Sequence, residues 1–283
     1  SASVGGSDIH YVTAGLPADP ERPPVIFLHG WPQTWFEWRD VMAGLEDAYT
    51  LIAIDMPGLG DSSRPARSYR KRDIADDLLT LLVGPIGAES FHIVGHDWGG
   101  PVAFRLAVAA ESRALSLAML DVTVPGVGPD ISQGGIRWHH AFHRTPDLPE
   151  TLTAGREREY LAWFYSAFAQ RRETITSDAV DEYVRCYSQP GAMKSGFDYY
   201  RAIPDDMADN QALAATGFKL EIPVLAMGGA VSERRGRGME PAESLREIAL
   251  RVEGISVPDS GHFVPEERPD LVIDALRAHL SGT

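Results

Sequence analysis

Residues 95–100 combine glycines with a carboxylate, in the order Gly95-His96-Asp97-Trp98-Gly99-Gly100. They lie between the apolar run 91–94 and the helix-like run 101–109. A sharp strand-to-helix turn needs glycines because the two backbones pack closely, and it lifts the central side chain clear of the sheet. The helix N-terminus favours an ionised carboxylate, so Asp97 can attack an electrophilic sp3 carbon without a base. The turn predicts a nucleophilic aspartate that forms an alkyl ester, although an aspartate also makes a good helix N-cap.

Short apolar runs and helical segments alternate through the first half of the chain. Strands are predicted at 9–12, 25–28, 51–54, 91–94 and 115–120, with a helix at 73–83. Continuously apolar strands separated by helices are typical of a parallel sheet that is covered on both faces. Catalytic groups then belong at the carboxyl ends of the strands, where Asp97 stands.

This rhythm stops after Asp121, where a Pro/Gly-rich stretch leads into a long aromatic, helix-rich segment. The strand pattern resumes at 223–227 and 255–257, followed by a final helix at 269–280. The sequence therefore predicts a core domain of residues 1–123 and 217–283 with a helical cap at 124–216. The aromatic residues of the predicted cap include Trp138, Phe142, Trp163, Phe164, Phe168, Tyr187, Phe197, Tyr199 and Tyr200.

Composition limits the partners and the compartment. The chain has 283 residues and a formal net charge of −14, which disfavours nucleic acid and anionic membrane surfaces and favours small, uncharged partners. No apolar stretch reaches the roughly 20 residues that span a bilayer. Cys186 is the single cysteine, so no internal disulfide forms and a cytoplasmic location is expected, although a mature secreted form has the same features. The sequence leaves the oligomeric state open, with a homodimer as one option.

Four motifs occur together in one order: His29-Gly30-Trp31-Pro32, residues 55–62, the turn at Asp97, and Gly261-His262. In this order and approximate spacing the chain resembles the α/β-hydrolase fold over nearly its whole length, specifically the branch that contains epoxide hydrolases and haloalkane dehalogenases. The resemblance implies a mostly parallel sheet flanked by helices, an inserted helical cap, and chemistry that needs no cofactor. His139 and His143 have metal-ligand spacing, but no nearby carboxylate completes a set, so no metal is expected.

The resemblance also implies roles for the core residues. Asp97 matches the nucleophile, and His262 matches the general base that activates water against the ester, a task that suits an imidazole. The acid that orients His262 is either Asp121 or Glu233. Asp121 is preferred because it directly follows a strand at the catalytic edge. The backbone N–H groups of Trp31 and Trp98 are expected to form the oxyanion hole.

Ring opening of an epoxide leaves an alkoxide, and cap residues are expected to donate hydrogen bonds to it. Tyr200 matches the family's ring-opening tyrosine, with Tyr199 as the neighbouring register. The second donor aligns with His139, and His140 and His143 lie close by in the sequence. Trp138 and Tyr199 are also predicted to contact the substrate.

Three functions follow from these residues. The first is an epoxide hydrolase that opens an apolar epoxide to a vicinal diol through an ester on Asp97. The second is a haloalkane or haloacid dehalogenase with the same nucleophile and base, in which the indole of Trp98 binds the halide, with Trp31 or Trp138 as a further donor. The third is a ligand-binding receptor on a hydrolase scaffold. The Tyr200 and His139 pair favours the first, because a halide leaves as a stable anion and needs no proton.

Overall fold

The computed structural model describes residues 1–19, 21–128 and 137–282; residues 20, 129–136 and 283, which include part of the predicted cap, lie outside the described residues. The strands are β1 (Ala2–Val4), β2 (Ser7–Ile9), β3 (Tyr11–Gly15), β4 (Val25–Leu28), β5 (Thr50–Ile54), β6 (Phe91–His96), β7 (Ala114–Leu120), β8 (Leu220–Gly229) and β9 (Ala249–Val257). β1 and β2 form a separate hairpin, and the others form one sheet in the order β3-β5-β4-β6-β7-β8-β9. β3 pairs antiparallel with β5, and the remaining pairs in this sheet are parallel.

The helices are α1 (Arg39–Ala43), α2 (Lys71–Val83), α3 (Gly99–Ala110), α4 (Trp138–Arg144), α5 (Leu148–Thr153), α6 (Glu157–Phe168), α7 (Ser177–Tyr187), α8 (Ala192–Arg201), α9 (Ile203–Ala215), α10 (Glu240–Arg246), α11 (Val264–Glu267) and α12 (Pro269–Ser281). In the described ranges no helix combines the length and the apolar character needed to cross a bilayer.

The sheet carries one apolar layer on each face. In β4, Ile26 and Leu28 point into a core shared with α2 and α3, whereas Val25 and Phe27 point into a second core shared with α1 and α12. This alternation follows from the two-residue period of a strand. It explains why the inner strands read as continuous apolar runs, and the topology confirms the predicted mostly parallel sheet with helices on both faces.

Several predicted strands extend further in the structure, and two of them differ in an informative way. The strand predicted at 9–12 is divided at His10, whose backbone N–H donates to Ser62 Oγ at 2.9 Å and whose ring bonds to Asp55 at 2.8 Å. β9 starts at Ala249 rather than Ile255, because its first half lies at the sheet edge with exposed side chains such as Leu250. An edge strand needs no apolar run, so the pattern was absent there.

Helices α4 to α9 all lie between β7 and β8 in the chain, within the segment predicted as the cap. Hydrogen bonds fix them to the core: Tyr187 Oη donates to the carbonyl of Gln33 at 3.1 Å. A buried ion pair adds to this attachment, with Lys71 Nζ of α2 at 2.8 Å from Asp206 Oδ2 of α9. The cap is therefore joined to the core by polar contacts that exclude water.

Candidate active site

Asp97 stands in a strained turn between β6 and α3. Its φ is 45°, a left-handed conformation that costs a non-glycine residue about 1–3 kcal/mol. A Cβ at Gly99 would collide with the carbonyl of Leu28, and a Cβ at Gly95 would collide with the carbonyl of Gly99. The glycines are required because strand and helix approach closely, and the turn aims the Asp97 carboxylate away from the sheet.

Each oxygen of the buried Asp97 carboxylate has its own partners. Oδ1 accepts a hydrogen bond from the backbone N–H of Trp31 at 3.1 Å. Oδ2 lies 3.4 Å from His262 Nε2 and 3.4 Å from Arg235 Nη2. Burial alone would raise the pKa of Asp97, but the hydrogen bond and charge of His262 and the charge of Arg235 hold it well below its ordinary value. Asp97 is therefore ionised, and its two oxygens lie in different surroundings.

His262 is oriented by Asp121. Its Nδ1 lies 2.7 Å from Asp121 Oδ2, and Asp121 Oδ1 accepts hydrogen bonds from the backbone N–H groups of Gly229 and Arg237 at 3.0 and 2.8 Å. Of the two candidate acids, the structure brings Asp121 to His262 and leaves Glu233 exposed in the loop after β8. Burial first, and Arg235 second, lower the pKa of His262, so its imidazole is neutral near pH 7.

A second buried pair, His96 and Glu37, contacts the backbone of His262. His96 Nδ1 lies 3.2 Å from Glu37 Oε2, and His96 Nε2 donates to the backbone carbonyl of His262 at 2.9 Å. Burial alone would lower the pKa of His96, but the charge and hydrogen bond of Glu37 raise it to about 9. The sequence analysis did not predict this pair, since nothing around Glu37 marks it as a partner of the turn.

Tyr200 and His139 reach from the cap into a small cavity of about 10 Å³ that Asp97 and His262 also line. Their rings are 5.7 Å apart between centroids. Burial and the charge of Asp97 raise the pKa of Tyr200 well above its ordinary value. Burial and the neighbouring His140 lower the pKa of His139 far below its ordinary value. Two neutral groups that can each donate a hydrogen bond thus face the nucleophile.

The other two cap histidines occupy different positions. His143 Nε2 lies 2.6 Å from Tyr160 Oη, which engages that ring nitrogen within the cap. His140 lines a separate, larger cavity on the other side of Asp97. Of the three histidines, the structure places His139 in the small cavity beside Tyr200.

Trp31 and Trp98 both border the site. Trp31 supplies its backbone N–H to Asp97, whereas its indole edge packs against Gly196 of α8. Trp98 lies at the start of α3 with its ring 5.0 Å from Tyr200 and 4.3 Å from Lys71 Nζ. The buried indole nitrogen of Trp31 lacks a hydrogen-bond partner among the described residues. A hydrogen bond from Trp98 to Tyr200 offsets part of the rise in the pKa of Tyr200.

The structure places two predicted substrate contacts, Trp138 and Tyr199, outside the described cavities at Asp97. Trp138 is 42% exposed and stacks on Phe164 at the outer side of the cap. Tyr199 Oη donates to the carbonyl of Pro57 at 2.8 Å. Neither residue lines a described cavity at Asp97. Successive residues of a helix point about 100° apart, so Trp138 and Tyr199 face away when their neighbours His139 and Tyr200 face the nucleophile.

The sequence analysis also missed Arg235 and the cavity beside it. Arg235, buried in the loop after β8, lies 2.7 Å from His262 Nε2 through Nη1. A cavity of about 430 Å³ adjoins it, lined by Asp97, Trp98, residues 122–128, Arg137, His140, Ile203, Met207, Gln211, Arg235 and Arg237. The available signal was the basic run 234–237 within an acidic chain.

Side chains that could share a metal ion are grouped elsewhere in the described part of the chain. The two groups are His10 with Asp55 and Asp61, and Asp61 with Glu182 and Cys186. Neither group includes Asp97, Asp121 or His262.

Comparison with known proteins agrees with this geometry. Residues 23–269 match the family model described as the alpha/beta hydrolase fold, and the chain belongs to this family. It is 37% identical to the soluble epoxide hydrolase of Corynebacterium sp. strain C12, over 96% of this chain and 93% of that protein. It is 38% identical to epoxide hydrolase B of Mycobacterium tuberculosis, over 98% and 96% of the two chains.

Among solved structures, the epoxide hydrolase CorEH without ligand superimposes with a TM-score of 0.88 at 34% identity, covering 99% of this chain and 97% of that one. Cfl2 from Burkholderia cenocepacia also gives a TM-score of 0.88, at 36% identity, with coverage of 98% and 93%. The predicted resemblance to the epoxide hydrolase branch is confirmed, and the protein is a hydrolase.

Proposed function

We propose that the protein opens epoxides to vicinal diols through a covalent ester on Asp97. The observation that supports this proposal most strongly is that the two oxygens of Asp97 have different partners. Oδ1 accepts a hydrogen bond from the Trp31 N–H, and Oδ2 faces His262, which lines the small cavity with Asp97. The relatives named as epoxide hydrolases support the same reaction. A carboxylate already held ionised needs no base to become a nucleophile.

In the first step Asp97 Oδ2 attacks a ring carbon and the C–O bond to that carbon breaks. The electron pair goes to the epoxide oxygen, which takes the proton of Tyr200 while His139 donates a hydrogen bond. Because both donors are buried and neutral, they stabilise the developing alkoxide without solvent rearrangement. The products of this step are a hydroxyalkyl ester and a tyrosinate.

In the second step His262 takes a proton from water, and the hydroxide adds to the ester carbonyl carbon. The negative charge then develops on Oδ1, where the Trp31 N–H donates to it; one such donor contributes about 3 kcal/mol to barrier lowering. Asp121 stabilises the imidazolium. The ester C–O bond breaks, and the two protons of the water reach the released diol oxygen and the tyrosinate.

The test is the intact mass of His262→Gln after incubation with epibromohydrin. This variant retains the nucleophile but lacks the base, so we expect one adduct per chain, located on Asp97 and carrying the bromine isotope doublet. His279→Gln, on α12, is the matched control and should turn over like the wild type. Absence of an adduct in His262→Gln, together with a wild type that consumes no epoxide, would contradict the proposal.

A second candidate function, dehalogenation, is favoured by one observation. The indole of Trp98 lines the large cavity together with Asp97, as a halide-binding donor would. In the same experiment dehalogenation would give an adduct that has lost bromine. The isotope pattern therefore separates the two reactions in one measurement.

A further inference from the structure

Three arginines line the cavity of about 430 Å³ beside the nucleophile: Arg137, Arg235 and Arg237. Among the described residues that line it, the only acidic side chain is that of Asp97. The protein as a whole carries a formal charge of −14, so this concentration of positive charge is opposite to its general character. Overall charge therefore does not explain the cluster.

Two of the arginines, Arg235 and Arg237, have a buried donor that no described acceptor uses. Arg237 Nη1 donates to Glu240 Oε2 at 2.9 Å, and Arg137 Nη2 lies 3.9 Å from the same oxygen. One carboxylate outside the cavity lining thus serves two guanidinium groups. The Nε atoms of Arg235 and Arg237 are buried and have no hydrogen-bond partner within the described part of the chain. Buried donors without partners are costly, and a bound group that accepts their hydrogen bonds removes this cost.

Mutual repulsion within the cluster points the same way. Burial first, and the charges of Arg237 and Arg235 next, lower the pKa of Arg137 to about 9. Burial and Arg235 also lower the pKa of Arg237. An anion bound among these guanidinium groups would be attracted by all three, and this attraction would offset the repulsion between them.

Arg235 connects this cavity to the reacting atoms. It lines both the large cavity and the small one that holds His139 and Tyr200. The small cavity, at about 10 Å³, has room for about one water molecule, so an epoxide ring can enter it only when side chains of its lining move, and Arg235 is one of them. An anion in the large cavity offers that guanidinium another partner in place of Asp97.

We propose that Arg137, Arg235 and Arg237 form a binding site for an anionic group on the substrate, and that the substrate is an epoxide bearing a carboxylate. The inference rests on the proposed epoxide opening for the nature of the reacting group. A carboxylate is favoured because two guanidinium forks can bind its planar pair of oxygens bidentately. This proposed anionic substrate differs from the uncharged partner that the net charge of the chain favours. The net charge describes the whole protein and does not indicate which charges line one cavity.

The first test measures binding without chemistry, by isothermal titration calorimetry with phenylacetate and its neutral analogue phenylacetamide. We expect the wild type to bind phenylacetate about 10- to 100-fold more tightly, the range for hydrogen bonds to charged groups. Arg137→Gln and Arg237→Gln should each lose most of this difference. Arg158→Gln, an exposed arginine paired with Asp181, is the matched control. Arg137 is only half-buried, so its variant stays informative even when Arg237→Gln fails to fold.

The second test measures turnover of 3-phenylglycidate and 3-phenylglycidamide, which differ only in charge at one group. We expect kcat/KM of the wild type to favour the acid by about 10- to 100-fold and that of Arg137→Gln to favour neither. Equal rates for acid and amide in the wild type would overturn the inference while leaving epoxide opening intact. Binding of phenylacetate through the arginines without turnover of any epoxide would support the anion site and count against the proposed function.

Discussion

Asp97 and Asp121 are proposed to act in different chemical steps, so replacing Asp121 should separate ester formation from ester hydrolysis. Asp121→Asn should retain ester formation, because Asp97 is ionised by its own surroundings and needs no base. The variant should instead lose ester hydrolysis, which depends on His262. We therefore expect a burst of one ester formed per chain, followed by very slow release of diol.

The size of the effect follows from the contacts of Asp121. Its Oδ1 accepts two backbone hydrogen bonds, and an asparagine oxygen can keep both. In that orientation the asparagine NH2 group faces His262 Nδ1, which must then accept a hydrogen bond. The ring proton therefore moves to Nε2, and His262 can no longer take a proton from the water that attacks the ester. Loss of the charged hydrogen bond alone predicts about a 10- to 100-fold effect. The wrong tautomer takes hydrolysis towards the 10⁴-fold loss, about 5 kcal/mol, that the same replacement causes in a Ser-His-Asp triad.

Rapid-quench measurement of product, combined with intact mass of the quenched protein, distinguishes the steps. Glu233→Gln is the control, since that carboxylate is exposed and does not reach His262, and it should behave as the wild type. The reasoning would be refuted by an Asp121→Asn variant that forms ester as slowly as it hydrolyses it. Loss of activity in Glu233→Gln with normal turnover in Asp121→Asn would refute it as well.

Three further predictions concern the cap, its attachment and the base. Tyr200→Phe should slow ester formation from an epoxide by about 10²- to 10⁴-fold, the range for a general acid, while Tyr199→Phe changes it little; single-turnover kinetics measures both. Asp206→Asn should lower the free energy of unfolding by about 3–5 kcal/mol because it leaves a buried lysine ammonium unpaired, and the exposed Asp205→Asn should stay within about 0.5 kcal/mol in urea titrations. Ester hydrolysis needs neutral His262, whose pKa lies below the ordinary 6.5, so the stopped-flow hydrolysis rate should fall with acid at a midpoint below pH 6.5; a midpoint above pH 7 would contradict this.

The parts of the site that could be predicted from sequence are those fixed by backbone topology. A parallel sheet brings the ends of its strands to one edge, so Asp97, Asp121 and His262 could be expected together once each was placed after a strand. The glycines of the turn mark Asp97 through a steric requirement that any sequence must meet. Such features depend on local geometry and on the order of strands, and both are visible in the residue pattern.

The cap was less predictable because its helices carry apolar and aromatic residues on more than one face. Tyr199 and Tyr200 are equally aromatic and both buried, and only the rotation of α8 determines which one faces Asp97. Trp138 and His139 differ in the same way on α4. Arg235 was missed for another reason: its side chain enters the site from a loop, at a φ of 63° that no sequence pattern indicates.

Placing the acid at the end of β7 has a consequence for the loop after β8. With Asp121 orienting His262, that loop no longer has to supply a carboxylate, and it instead brings Arg235 against both Asp97 and His262. The positive charge favours the ionised form of Asp97 and the neutral form of His262, which are the states that attack and proton abstraction require. The same guanidinium lines the small cavity and lies 3.4 Å from Asp97 Oδ2, so a substrate that brings its own anion offers Arg235 a partner away from the attacking oxygen. Arg235 would thus link the charge of the substrate to the accessibility of Asp97 Oδ2. A neutral epoxide would have to displace the guanidinium from Asp97 without offering it another anionic partner.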